Sequence, residues 1–284
     1  MKLSSEDKTF LALYSDSEYE KPSVTVDGVI FRLVNKENDN YRKLPEKKLQ
    51  VFLSKRSYPP YKDCYGVVGT FIDLKTELTT TMELCIKNKV GLENFYSEQL
   101  FTFGEKSRDP RTRVLSVSYM ILTSQEEKIE NGEWFDINIS KITNKTSTSI
   151  TQEINILLCN ENNQFENKLE LKIDKKGLKT TKTLNILQNT LAFDHINLIY
   201  HALERLKNKL EYTDIIFNLL PKTFTLTELK QSYEEILNEK LLDANFRRKI
   251  AKMVVATNDY EVGKGHRSSK YFAPNPTYSF IDID

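Results

Sequence analysis

The fold is decided by the stretch LTTTMELCIKNKVG at residues 78–91. Its apolar residues recur every four positions, at Leu78, Met82, Ile86 and Val90. This spacing places them along one stripe of a helix, and Gly91 is a suitable C-cap. β-Branched and apolar segments typical of strands surround the helix, at residues 24–34, 49–54, 67–72 and 113–122. We therefore predict an α+β domain in which one helix interrupts a β-sheet.

Length and composition indicate a two-domain cytoplasmic protein. A chain of 284 residues is longer than the usual single domain. Its 41 basic and 40 acidic residues nearly cancel, so net charge identifies no partner. The cysteines Cys64, Cys85 and Cys159 are widely spaced, which favours neither a disulfide framework nor a zinc site. No apolar window is long enough for a membrane span, and the N-terminus MKLSSEDKTF lacks a signal-like apolar core.

The chain divides by composition into a leader and two domains. Residues 1–20 are a polar leader, residues 21–208 the first domain and residues 209–284 the second, with the boundary near 208–212. Residues 139–190 are rich in Asn, Lys and Thr and include alternating runs at 153–158 and 169–173, which predict an inserted hairpin. A helix is predicted over 193–210, followed by a short helical segment over 214–220 that Pro221 ends.

The C-terminal domain has the element order of a winged helix. Thr225 or Thr227 can cap a helix that runs to about residue 237. Asp243 can cap a second helix over 244–255, and strands then flank residues 263–269. Residues 240–270 hold eight basic and three acidic side chains, an excess that the neutral whole-chain charge hides. The basic residues of the second helix and the wing, with His266, are Arg247, Arg248, Lys249, Lys252, Lys264, Arg267 and Lys270.

This arrangement predicts binding to double-stranded DNA. A basic helix that follows a short turn is the geometry in which a recognition helix enters the major groove, while the wing touches the backbone. We expect the capping threonines and the basic residues to contact DNA, with Asn245, Arg247 and Arg248 as candidates for base contacts. The alternative is a solvated helix face beside an ordinary hairpin.

Several segments together resemble the Nudix-related transcriptional regulators of bacterial sugar and NAD metabolism, which join a Nudix domain to a C-terminal winged helix. They are VTVDGVIFRL (24–33), LQVFLSKR (49–56), PPYKDCYGVVGTFID (59–73), EQLFTFGEKSRDPRTRVLSVSY (98–119), AFDH (192–195), LPKTFTLTELKQSYEEIL (220–237) and NFRRKI (245–250). The resemblance implies a Nudix fold followed by a winged helix-turn-helix domain. It also implies a homodimer that binds operator DNA and senses an ADP-ribose-like nucleotide or a sugar. Residues 139–190 lie outside the resemblance.

The catalytic motif of that family is degraded in this chain. An active Nudix box reads G-x5-E-x7-R-E-U-x-E-E-x-G-U, and its glutamates hold Mg²⁺ through carboxylate oxygens. Anchoring the box on Gly91 and Leu92 leaves other residue types at all its catalytic positions: Thr70, Thr76, Leu84, Cys85, Asn88 and Lys89. Glu77 and Glu83 lie one position away from box sites, and one helical step rotates a side chain by about 100°. We therefore predict no catalytic residues, no metal and no cofactor.

The resemblance also suggests where a ligand binds. A fixed ammonium at Lys89 repels Mg²⁺ but can attract a phosphate. The ligand-contact candidates are Arg56, Lys62, Lys89, Arg111 and Arg113, with structural ion pairing as the alternative for the four outside the box. Tyr61 and Phe103 are candidates for ring stacking or for the core, and His195 is expected in a helix N-terminus or an interdomain contact.

Two rival functions stay open at this point. One is a Nudix hydrolase that uses Glu77, Glu83 or carboxylates outside the box, and the other is a ligand-binding or scaffold protein whose winged helix binds protein. The sequence identifies neither the effector nor the sign of control.

Overall fold

The N-terminal segment is helical in the computed structural model, which describes residues 3–15, 17, 19–36, 45–125, 129, 131–260 and 269–278. Helix α1 spans Ser5–Leu13. A capping box starts it, in which the Ser4 hydroxyl accepts from the Asp7 N–H at 3.0 Å. None of its residues is buried. The prediction of a merely polar leader therefore missed a helix that exposes its apolar side chains.

A mixed ten-stranded sheet forms the scaffold of the first domain. Its strands are β1 (Ser23–Lys36), β2 (Glu46–Lys55), β3 (Tyr65–Gly66), β4 (Val68–Phe71), β5 (Tyr96–Phe103), β6 (Val114–Leu122), β7 (Glu133–Lys145), β8 (Ser149–Cys159), β9 (Gln164–Lys176) and β10 (Lys179–Gln188). The main path runs β10-β9-β8-β7-β2-β1-β6-β5, while β3 pairs with β2 and β4 with β1. Strands β1 and β6 are parallel, and the other pairs are antiparallel. The predicted interrupted sheet is confirmed, and β5 is an additional strand.

Helix α2 (Leu78–Val90) covers one face of this sheet. Its residues Met82 and Ile86 are fully buried against the sheet residues Ile30 and Phe52. Gly91 ends the helix in the left-handed conformation, with φ 80°. The four-residue apolar period thus predicted both the extent of the helix and its C-cap.

Residues 139–190 are more than an inserted hairpin. The two predicted runs lie in β8 and β9 and are joined by the predicted turn, where the Asn160 N–H donates to the Asn163 carbonyl at 3.0 Å. Strands β7 and β10 extend this hairpin into a four-stranded antiparallel meander that continues the main sheet. The sequence did not reveal β10 or the end of β7 because both are exposed on the two sides of the sheet, which leaves no apolar alternation to detect. The start of β7 does alternate, with Phe135, Ile137 and Ile139.

The second face of the sheet carries α3 (His195–Tyr212) and the C-terminal elements. Because α3 continues through residue 212, the boundary predicted at 208–212 falls inside a helix. A 3-10 helix follows at Ile215–Leu219. None of the helices in the described ranges is both long and apolar enough to cross a membrane.

The C-terminal elements form a winged helix. They are β11 (Phe224–Thr225), α4 (Leu226–Leu237), α5 (Asp243–Ile250), β12 (Val254–Tyr260) and β13 (Lys270–Pro274), with sheet order β11-β13-β12. Thr225 caps α4 through a capping box with Glu228. Helix α5 ends at Ile250 rather than 255, because residues 254–256 pair with β13. The predicted tip of the wing, at 263–268, lies outside the described residues.

Candidate functional site

Two of the predicted ligand residues lie beside one aromatic ring, that of Phe193. The guanidinium carbon of Arg56, just after β2, lies 4.7 Å from the centroid of the Phe193 ring, and that of Arg111 lies 6.0 Å away. The Tyr61 ring packs edge-on against Phe193 at a centroid distance of 4.8 Å. We call Arg56, Tyr61, Arg111 and Phe193 the arginine–aromatic cluster. It can present cations to an anion and ring surface to a planar group.

Neighbouring groups hold both arginines in place. The Arg56 Nε donates to the Pro60 carbonyl at 2.9 Å, and burial together with the nearby Arg111 lowers the pKa of Arg56. Arg111 forms a two-pronged pair with Asp109, at 3.0 and 2.7 Å. The hydrogen bond from Arg111 lowers the pKa of the Asp109 carboxyl. Arg111 therefore already has an anionic partner, whereas Arg56 is held through a neutral carbonyl.

A buried polar layer fixes the chain beside Phe193. Arg108 and Asp194 make a bidentate ion pair at 3.1 and 2.8 Å, with side chains only 5% and 10% exposed. His195 begins α3, and its Nδ1 accepts from the Val67 N–H at 3.1 Å. Burial lowers the pKa of His195 to about 4, so the ring is neutral at pH 7. His195 is thus a helix-start residue, as expected, and its role is structural.

Lys89, near the end of α2, contacts strand β4. Its Nζ donates to the Gly69 carbonyl at 2.6 Å on β4. Opposite Gly69 in the β1–β4 pairing is Asp27, a buried carboxyl that accepts from Thr25 at 3.0 Å and from Ser116. Burial raises the pKa of Asp27, while the positive charges of Arg108 and Lys89 oppose this change. Lys89 therefore donates to a backbone carbonyl and places its positive charge near the buried Asp27 carboxyl.

The residues at the Nudix box positions do not fit Mg²⁺. Cys85 lies in the core at 5% exposure, and burial raises the pKa of its thiol. Lys89 brings a positive charge to the place where the family has a carboxylate. Glu77 precedes α2 and Glu83 lies on its exposed side, away from the buried stripe. Among the described residues, these positions offer a hard cation no converging carboxylates.

The remaining predicted ligand residues are Lys62, which follows Tyr61 of the cluster, and Arg113. Lys62 and Arg113 are exposed, and in the part of the chain that is described no hydrogen bond or ring contact joins their side chains to Phe193. Phe103 lies in the core, where it contacts Phe101 and His201. The sequence reasoning missed Phe193, although it follows Ala192 in the AFDH segment.

Asp27 and Phe71 were also missed by the sequence reasoning. The signal for Asp27 was an acidic residue inside an otherwise apolar strand. Phe71 ends β4, and its ring centroid lies 5.7 Å from the Arg111 guanidinium carbon. A strand-end aromatic carries no comparable signal in the sequence.

Helix α5 presents a polar surface to solvent. Phe246 and Ile250 are buried and anchor the helix, with the Phe246 ring 5.6 Å from that of Tyr233 on α4. The opposite side exposes Asn245, Arg247 and Arg248. The Arg248 Nη2 donates to the Asn245 Oδ1 at 3.1 Å, so these two side chains form one polar unit.

The other predicted DNA contacts differ in their availability. Thr225 is only 4% exposed and its hydroxyl belongs to the α4 cap, so its side chain is structural and not a DNA contact. Lys249 lies against the Tyr233 ring at 5.1 Å, and burial lowers its pKa. Thr227, Lys252 and Lys270 are exposed. Lys264, His266 and Arg267 lie outside the described residues.

Fold and site define the class: this is a winged-helix DNA-binding domain joined to a Nudix-type domain, the architecture of Nudix-related transcriptional regulators. The NrtR DNA-binding winged helix domain family matches residues 216–273.

More particularly, the chain is similar over nearly its whole length to the ADPR responsive transcriptional repressor NtrR of Acinetobacter baylyi. The two are 28% identical over 277 residues, covering 94% of this chain and 88% of the relative. A solved MutT/nudix family protein from Enterococcus faecalis is 25% identical with a TM-score of 0.64, over 95% of this chain and 93% of the other. Shewanella oneidensis NrtR, solved with a 27mer DNA, is 25% identical with a TM-score of 0.60, over 91% and 97%.

Proposed function

We propose that this protein is a transcriptional regulator whose winged helix binds operator DNA and whose Nudix-type cleft senses an ADP-ribose-like nucleotide without hydrolysing it. The main evidence for DNA binding is the arrangement of side chains on α5. Phe246 and Ile250 anchor it, and Arg247 and Arg248 face solvent beside Asn245. A helix docked by its apolar face, with arginines on the free face, suits entry into a major groove. The solved relative with bound DNA supports this assignment.

The arginine–aromatic cluster supports the ligand half. Two guanidinium groups around Phe193 suit a diphosphate, and the rings of Phe193 and Tyr61 suit a base or ribose face. The Acinetobacter baylyi relative is named as ADPR responsive, which favours ADP-ribose over other sugar nucleotides. Within the cluster, Arg56 is the stronger candidate for the phosphate contact, because Asp109 already neutralises Arg111.

The regulator acts in this proposal as a homodimer on a roughly palindromic operator, since a two-fold protein matches a two-fold DNA site. Ligand binding shifts the spacing or order of the two reading helices. Loss of the box carboxylates separates recognition from turnover, so the cleft binds the nucleotide and releases it intact.

The DNA half is tested with the double substitution R247Q/R248Q. Fluorescence anisotropy against DNA from upstream of the protein's own gene should show weaker binding. The slope of log affinity against log salt should also be shallower by about two, since each phosphate contact contributes about 0.9. The matched control is K75Q/K87Q, which removes the same charge from exposed positions of the first domain. Equal binding by both double variants would refute the α5 assignment.

The ligand half is tested by calorimetry with ADP-ribose in the absence and presence of Mg²⁺. Arg56→Met should weaken binding by roughly tenfold or more, because it removes a charge-assisted contact worth about 1.5–3 kcal/mol. Lys222→Met, which removes a charge from an exposed position outside the Nudix-type domain, serves as the control. Mg²⁺-dependent turnover of ADP-ribose that disappears in E77Q or E83Q would instead identify the protein as a hydrolase.

A further inference from the structure

The meander β7–β10 carries a row of paired side chains near its β7–β8 and β9–β10 turns. The register aligns Lys145 with Ile150, Ile150 with Ile173, and Ile173 with Lys182. Partners directly opposite each other on neighbouring strands point to the same face of a sheet. Two lysines therefore flank two half-buried isoleucines across four strands, and Lys175 lies two residues beyond Ile173 on the same face.

This face is the one on which α3 and the winged helix pack. Ile137, Ile154 and Leu169 are buried on it within the core that includes α3 and α4. Strand side chains alternate, so the odd-numbered residues of β7 and β9 continue along that face. Lys141 confirms the direction, because its Nζ pairs with Glu204 of α3 at 2.8 Å. We call Lys145, Lys175 and Lys182, which lie beyond this contact, the cationic arm.

The acidic side chains nearest to the arm on these strands lie on the opposite face. Glu153 and Glu170 are paired across β8 and β9, and the alternation of side chains places both on the face opposite to the lysines. Asp174 precedes Lys175 directly, so its side chain also points to the opposite face. The next row on the arm's face is Thr143, Gln152, Leu171 and Leu184. Nothing in these registered rows neutralises the arm, so its three charges add to one another.

Strand β7, which carries Lys145, passes beside the turn that leads to α5. The Asn238 side chain donates to the Ile139 carbonyl of β7 at 3.1 Å, and Asn238 is the C-cap of α4. From Ile139 the strand continues for six residues to Lys145, which at about 3.3 Å per residue is about 20 Å. The far end of the arm thus lies about 20 Å from the α4 C-cap, which is less than one turn of B-DNA, about 34 Å.

We propose that the cationic arm is a second DNA-binding surface that contacts the phosphate backbone flanking the operator. The inference rests on the proposed function, since it takes the winged helix to bind DNA. Among the described residues, these registered rows give the three lysines no acidic partner, and threonine hydroxyls lie beside them. Such a surface fits the phosphate backbone, which receives most protein–DNA hydrogen bonds. A second copy of the chain is disfavoured as the occupant, because two-fold pairing of this face would oppose lysines to lysines.

The test compares two triple variants of the full chain. K145Q/K175Q/K182Q removes the arm, while K172Q/K176Q/K179Q removes the same charge from the opposite face of the same strands. Each binds two duplexes from the protein's own promoter: one that ends at the site, and one extended by about two helical turns on each side. Salt titration by fluorescence anisotropy gives the affinity and its slope, and sedimentation velocity gives the oligomeric state.

We expect the arm variant to bind the extended duplex about tenfold more weakly than the control variant at low salt. Its slope should be shallower by two to three, at about 0.9 per phosphate contact, with little change on the short duplex. If the arm and control variants bind the extended duplex equally, the arm does not contact DNA, and the α5 assignment is unaffected. An arm variant with an altered oligomeric state and unchanged DNA binding would also overturn the proposed role of the arm. No DNA binding by the unsubstituted protein, on either duplex, would overturn both proposals.

Discussion

Replacing Asp194 with Asn should strongly destabilise the protein, because it leaves the Arg108 guanidinium charged and buried. Both side chains are at most 10% exposed, and two hydrogen bonds join them. Breaking a buried pair by removing one charge costs about 3–5 kcal/mol. For a chain of this size that corresponds to a fall in melting temperature of roughly 6–15 °C.

The matched control for Asp194→Asn is Glu93→Gln, the same carboxylate-to-amide change in an exposed pair. Lys87 and Glu93 are 3.3 Å apart with side chains 60% and 68% exposed. Exposed pairs contribute about 0–1 kcal/mol. Thermal unfolding followed by circular dichroism measures both variants. A D194N protein that melts within about 2 °C of the E93Q control would refute the assignment of Arg108–Asp194 as a buried stabilising pair.

The polar layer also fixes the residues around Phe193, and two further predictions address it. His195 has a folded pKa of about 4 against about 6.5 when unfolded, so the unfolded chain binds more protons between these values. Stability should therefore fall as pH drops from 6.5 to 4, by up to about 3 kcal/mol, and urea unfolding of His195→Gln should show less of this loss. Gly66→Ala should destabilise by about 1–3 kcal/mol, because its Cβ would lie 2.3 Å from the His195 Nδ1. Unfolding of G66A at the wild-type urea midpoint would contradict that crowding.

Local patterns predicted the elements that depend on neighbours in sequence. The four-residue period of 78–90 gave α2, and Gly91 gave its end, because one face of a helix repeats every three to four residues. The Thr225 cap and the helix–turn–helix–hairpin order gave the winged helix. The residue types at the Nudix box positions were enough to predict that its carboxylates are lost.

Elements that depend on pairing were predicted less well. Strand β5 has few buried positions, and β10 is exposed along almost its entire length. A strand held mainly by backbone hydrogen bonds to its neighbour leaves little alternation to detect. The end of α5 was placed too late for the same reason, since pairing of residues 254–256 with β13 overrides the apolar run that continues past Ile250.

Local sequence patterns were enough to predict the class of the domains, helix α2 at the position of the Nudix box and the basic character of α5. The folded structure was needed to show that Arg56 and Arg111 meet at Phe193. Only the register of β7–β10 decided that Lys145, Lys175 and Lys182 share the face of the winged helix. The physical reason is that a one-residue change in register moves every side chain of a strand to the other face, and register is set by contacts distant in sequence.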